Sequence, residues 1–139
     1  MPLRTFNVMG FLTKKVVFEA YLPATMVGDL TLELAVKQTY VKVDPNNGQY
    51  VGIVALVTKA SQGTEPVFQG ELEVAIPVNF TGFTVGECAK IMETYIPAQG
   101  LPIARERLSA IIGNAGYPAL VMPLIPPNTD AYASMATLH

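Results

Sequence analysis

Phe68, Leu72, Val74, Ile76 and Val78 fall on one parity of the chain, and Gln69, Glu71 and Glu73 fall on the other. Side chains alternate across a strand with a period of two, so this segment reads as a strand with one buried and one polar face. The same period recurs upstream. Leu30, Leu32, Leu34 and Val36 alternate with Thr31, Glu33, Ala35 and Lys37, and the pattern runs on through Tyr40 to Val43. Val16, Phe18, Ala20 and Leu22 alternate with Val17, Glu19 and Tyr21, and the segment from Phe6 reads as part of the same strand. Tyr50 to Lys59 is a more uniformly apolar strand. Asp44-Pro45-Asn46-Asn47-Gly48 and the stretch from Ser61 to Pro66 are turns, because proline presets φ and asparagine and glycine tolerate positive φ. Long strands joined by short turns make an antiparallel meander. Pro23 to Gly28 is an irregular connection after the first strand.

The period changes at Thr84. Thr84-Val85-Gly86-Glu87 has the spacing of a capping box. Val85, Cys88, Ala89, Met92 and Tyr95 follow at helical spacing. Pro97 and Gly100 are expected to end this helix, and Pro102 suits the first turn of a second one carrying Ile103, Ala104, Leu108, Ile111 and Ile112. Pro118, Pro123, Pro126 and Pro127 punctuate the next stretch, and a short closing helix is expected over Thr129 to Ala136 with Asn128 as its cap. The fold class is α+β, with one domain over residues 1–139.

Composition bounds what such a domain does. Half of the residues are apolar, only 14% are charged and the mean hydropathy is +0.35, against a usual charged share of about 25%. With a net charge of −2, no nucleic-acid partner is expected. No apolar run approaches the roughly 18 residues of a membrane span, so no membrane insertion is expected. The apolar excess is expected at a subunit interface or on a functional apolar surface. Cys88 is the single cysteine; it fits a cytoplasmic setting and reads as an inert buried thiol. The single histidine is the last residue, His139. With no zinc ligand set, no Ser-His-Asp or Cys-His arrangement and no phosphate loop, neither an enzyme nor a cofactor is expected, and no metal. Asn79-Phe80-Thr81 has the form of a glycosylation sequon but reads as strand-end residues. Glu71 and Glu73 share a strand face, which reads as a solvated surface or a docking patch for a basic partner.

Several stretches resemble one family. Ile96-Pro97, then Leu101-Pro102-Ile103-Ala104-Arg105-Glu106-Arg107-Leu108-Ser109, then Tyr117-Pro118-Ala119-Leu120 are similar to the signature of SecB, the bacterial protein-export chaperone. Asn128-Thr129-Asp130-Ala131, Thr13 to Ala20 and Val67 to Val74 resemble further segments of that family in the same order. The resemblance implies a four-stranded antiparallel sheet with a crossover after strand 1 and helices packed on one side. It implies an ATP-independent holdase that binds unfolded precursors in apolar grooves and hands them to SecA, assembled as a homotetramer, a dimer of dimers. Partner-specific chaperones of antitoxins occur among SecB-like proteins, and a carrier of an apolar small molecule is the remaining alternative.

On these grounds Phe18, Tyr21, Leu22, Met26, Tyr40 and Tyr132 are candidates for a client-binding groove near the connection after the first strand. The resemblance makes Glu19, Glu71 and Glu73 the translocase-docking patch, with Lys15 standing where the family commonly has an acid. Val85, Met92, Leu108 and Ile112 are expected to bury surface between subunits.

Overall fold

The computed structural model describes residues 3–22, 30–117 and 132–138. Among the described residues six strands form one antiparallel sheet: β1 (Thr5–Val8), β2 (Leu12–Ala20), β3 (Leu30–Asp44), β4 (Gln49–Gln62), β5 (Glu65–Thr81) and β6 (Tyr132–Leu138), with one α-helix, α1 (Val85–Asn114), between β5 and β6. They occupy five positions, because β1 and β2 both pair with β5, end to end, around Gly10. From that edge the order is β5, β4, β3, β6. The first and fourth expected strands are therefore neighbours, and the chain crosses the sheet between β2 and β3, as expected for a crossover after strand 1. The four-stranded expectation is extended by β6.

The alternation seen in the sequence decides the two faces. Leu30, Leu32, Leu34 and Val36 of β3 are buried, as are Phe68, Leu72, Val74, Ile76 and Val78 of β5. Tyr50, Val54, Leu56 and Ala60 of β4 complete this inner layer, on which α1 lies. The turn after β3 is a short 3-10 helix, Pro45–Asn47, closed by Gly48 at φ +72°.

The helix corrects one expectation. It runs unbroken through Pro97 and Pro102 for 30 residues, about 45 Å. Its buried positions Cys88, Met92, Ile96, Gly100, Ala104, Leu108 and Ile112 are each four apart. Burying that continuous row against the sheet outweighs the donors that the two prolines remove. Gly100 is part of the reason. A Cβ there would lie 2.4 Å from Ile76 Cδ1 and 3.1 Å from Val54 Cγ2, so only glycine lets the helix backbone approach the sheet this closely. Gly100→Ala is expected to destabilise by about 1–2 kcal/mol despite the better helix propensity. Gly113→Ala, with open space around it, should gain up to about 1 kcal/mol. Urea unfolding of the pair checks both signs.

The capping box forms as expected. The Glu87 amide donates to Thr84 Oγ1 at 3.2 Å, and the Thr84 amide donates to Glu87 Oε1 at 2.9 Å. That second bond, with Arg4 beside the carboxylate, holds the Glu87 carboxyl below the usual range. Of the helix expected over Thr129 to Ala136, residues 129–131 lie outside the described residues, and Tyr132 to Ala136 are corrected to β6: Leu30 to Ala35 of β3 pair with Leu138 to Tyr132. Partner strands override the helix-forming character of alanine, methionine and leucine there.

Candidate functional site

Aromatic side chains gather at the two ends of α1. At its N-terminal end Phe6, Phe80, Phe83 and Tyr95 meet with centroids 5.5–6.1 Å apart, and Tyr50 packs edge-on to Phe80 at 5.4 Å. At the other end Phe18, Phe68 and Tyr117 form a second group, with Phe68 and Tyr117 only 4.7 Å apart and Phe18 at 5.7 and 6.3 Å from them. The second group sits where β2 hands the chain to the crossover. There the Tyr117 hydroxyl donates to the Leu22 carbonyl, which ties the end of β2 to the end of the helix. Leu22 and Phe18 are half-buried against the core, while Tyr21 is 46% exposed. Tyr21 donates to Glu19 Oε2 at 2.9 Å, and this bond holds its phenol above the ordinary value.

The structure thus joins Phe18, Tyr21 and Leu22 at one corner but separates Tyr40 from them. Phe18 pairs with Gly70, which lies under Leu108; Tyr40 pairs with Gly52, which lies under Met92 and Ile96. Met92 and Leu108 are about 24 Å apart along the helix. Tyr40 instead packs on Tyr50 at 6.1 Å, and burial followed by the Glu93 charge raises its pKa. Placing Tyr40 near the connection is therefore corrected: it belongs to the opposite end. Met26 lies outside the described residues. Tyr132 pairs through its backbone with Ala35 at the far edge of the sheet. Phe68 and Tyr117 complete the cluster and are not among the groove candidates of the sequence, because only the β2–β5 register and the helix end bring them to Phe18.

The outer face of the sheet carries the carboxylates. Lys15 pairs with Glu73, Val17 with Glu71 and Glu19 with Gln69 across β2 and β5, so all three candidate acids share this face. Lys15 Nζ stands 3.5 Å from Glu71 Oε1, and the patch is a mixed one. Farther along the same face a depression of about 200 Å³ is lined by Glu33, Ala35, Lys37, Val57 and Lys59.

The assigned interface residues are corrected in part. Met92, Leu108 and Ile112 are 1%, 0% and 0% exposed in the single chain, fully used against their own sheet. Val85, at 53% exposure, still has surface to give. Cys88 is buried on that same row, and burial pushes its thiol up, the state of an unreactive cysteine. Among the described residues no group of three metal-ligating side chains converges, and no helix is long and apolar enough to cross a membrane.

The chain is 26% identical over 131 residues to the protein-export protein SecB of Alkalilimnicola ehrlichii, a match spanning 94% of this chain and 69% of that protein. In structure it is similar to the Mycobacterium tuberculosis Rv1957 SecB-like chaperone, solved in complex with a ChAD peptide from the Rv1956 HigA1 antitoxin. That likeness has a TM-score of 0.74 at 16% identity and covers 86% of this chain and 90% of that one. No protein-family model matches.

Proposed function

We propose that this chain, SecB-like in sequence and fold, is a non-catalytic chaperone that holds non-native polypeptide without ATP. The observation that carries this reading is the pair of half-buried Phe18 and exposed Tyr21, at the corner where the crossover leaves the sheet, with Phe18 seated on the buried rings of Phe68 and Tyr117. Aromatic groups that keep part of their area open can cover many apolar segments without a shaped pocket. The test is light scattering from three unrelated unfolded proteins in the absence of nucleotide. Suppression of all three is expected. Tyr21→Ser should weaken it about fivefold, the worth of one aromatic contact. Suppression unchanged in the variant would move the client site elsewhere.

A second reading is favoured by the peptide complex of the mycobacterial SecB-like chaperone: a chaperone dedicated to one partner, such as an antitoxin. Suppression of only one client among many would select it.

Delivery to SecA and assembly as a homotetramer complete the first reading. Glu19, Glu71 and Glu73 would face a basic tail of SecA, and Lys15 opposes it. An exposed charge contact is worth under about 1 kcal/mol, so replacing a repulsion by an attraction changes affinity by up to about tenfold. Lys15→Asp is expected to strengthen binding of a SecA tail peptide at low salt, measured by calorimetry at two ionic strengths. Native mass spectrometry at micromolar concentration should show the tetramer.

A further inference from the structure

We propose that Asn47 is a modification site, which loses its side-chain nitrogen to attack by the Gly48 amide, and that the folded β3–β4 turn holds this reaction back. Of the six asparagines in the chain, Asn47 alone precedes a glycine. The others precede Val8, Asn47, Phe80, Ala115 and Thr129. A glycine has no Cβ to keep the preceding side chain from its backbone nitrogen. Asn47 is also exposed, at the end of the 3-10 turn between β3 and β4.

The step is an acyl transfer within the chain. The Gly48 nitrogen bonds to Asn47 Cγ, the Cγ–Nδ2 bond breaks, and the Gly48 amide proton leaves with Nδ2 as ammonia. Water then opens the five-membered imide at either carbonyl. One opening gives aspartate at position 47. The other gives its isomer, in which the side-chain carboxyl carries the main chain and adds one methylene to it.

In the fold both reacting groups are engaged elsewhere. The Gly48 amide donates to the Pro45 carbonyl at 3.2 Å, and Asn47 Nδ2 donates to Asp44 Oδ2 at 2.7 Å. Ring closure also eclipses Cβ and the Gly48 nitrogen about the Asn47 Cα–C bond. Asn47 lies in a 3-10 helix, where ψ is about −20 to −30° and the two are not eclipsed. The reaction therefore runs through opening of the turn. Its product does not restore the closed form. A carboxylate replaces the amide that donated to Asp44, so a hydrogen bond becomes a like-charge contact. The Phe80 amide, which donates to the Gly48 carbonyl at 2.8 Å, loses its fixed partner with it. A turn that has opened and reacted is marked permanently, at the end of the sheet opposite Phe18.

This inference is independent of the chaperone reading. The full chain is held in mildly alkaline buffer with and without urea, then digested with trypsin. Peptide 43–59 carries both Asn46 and Asn47, and its fragmentation locates the converted residue while released ammonia is measured alongside. In urea Asn47 is expected to convert before every other asparagine. The folded chain should convert at least about tenfold more slowly. Asp44→Ala frees the Asn47 carboxamide and should speed the folded reaction about threefold to tenfold, leaving the rate in urea unchanged. Asn47→Asp reproduces the product of normal main-chain length. It should speed hydrogen exchange at the Gly48 and Phe80 amides about tenfold. Earlier conversion of another asparagine in urea, or none at Asn47, overturns the site. Equal rates with and without urea, or no effect of Asp44→Ala, overturns protection by the turn. Unchanged exchange in Asn47→Asp overturns the loosening of the turn by the product.

Discussion

Leu108→Ala is expected to lower the unfolding free energy by about 3–5 kcal/mol. Leu108 is fully buried on the row of α1 that faces the sheet, and its Cδ1 would lie 3.2 Å from a Cβ placed on Gly70. Deleting it removes apolar contact and leaves a cavity between two rigid elements, helix and strand, that cannot close over it. Because its contacts lie within one chain, the loss should be the same at all protein concentrations. A subunit-interface role would instead make the loss relative to the unaltered chain shrink on dilution, as the assembly dissociates. Denaturant unfolding at two concentrations a hundredfold apart decides between these.

Gly48→Ala should cost about 2–4 kcal/mol. At φ +72° any other residue loses about 1–2 kcal/mol, and here the added Cβ would stand 2.2 Å from the Phe80 carbonyl oxygen. That oxygen belongs to backbone, and Phe80 is tied to the turn by its own amide, which donates to the Gly48 carbonyl at 2.8 Å. The strand must shift or the bond must lengthen. Gly63 is the internal control. It has φ +64° and open space around it, so Gly63→Ala should cost only the conformational part, about 1–2 kcal/mol. Equal losses at the two sites would mean that the Phe80 contact relaxes freely.

The sequence was most legible where period and local chemistry agree. Leu30 to Val36 read as a half-buried strand because their parity does not depend on any distant residue, and Thr84 with Glu87 read as a cap because both partners lie within one turn. Pro97 and Gly100 misled because they are local breakers, whereas the continuity of α1 is decided by what Ile96, Gly100 and Ala104 meet on the sheet. Tyr132 to Leu138 misled for the same reason: their strand character is borrowed from the edge of β3. For the site, Glu71 and Glu73 were legible as a pair on one face. The Lys15–Glu71 approach also needed the β2–β5 register, with its irregularity between Thr13 and Lys15. Phe18 was legible as a candidate, but Phe68 and Tyr117 come to it only through pairing and the helix end.

That β2–β5 pairing sets an order of events in folding. Thr5 pairs with Thr81 and Ala20 with Phe68, whereas β3, β4 and β5 join through short hairpins. Closing a long loop costs entropy before its contacts repay it, so distant pairings are slow. During synthesis the N-terminal strand leaves the ribosome first yet has no partner until β5 follows. Its Phe18, half-buried against the core in the folded chain, waits in the open until the meander is built. This chain thus spends part of its own life in the extended, half-apolar condition that it is proposed to guard in others.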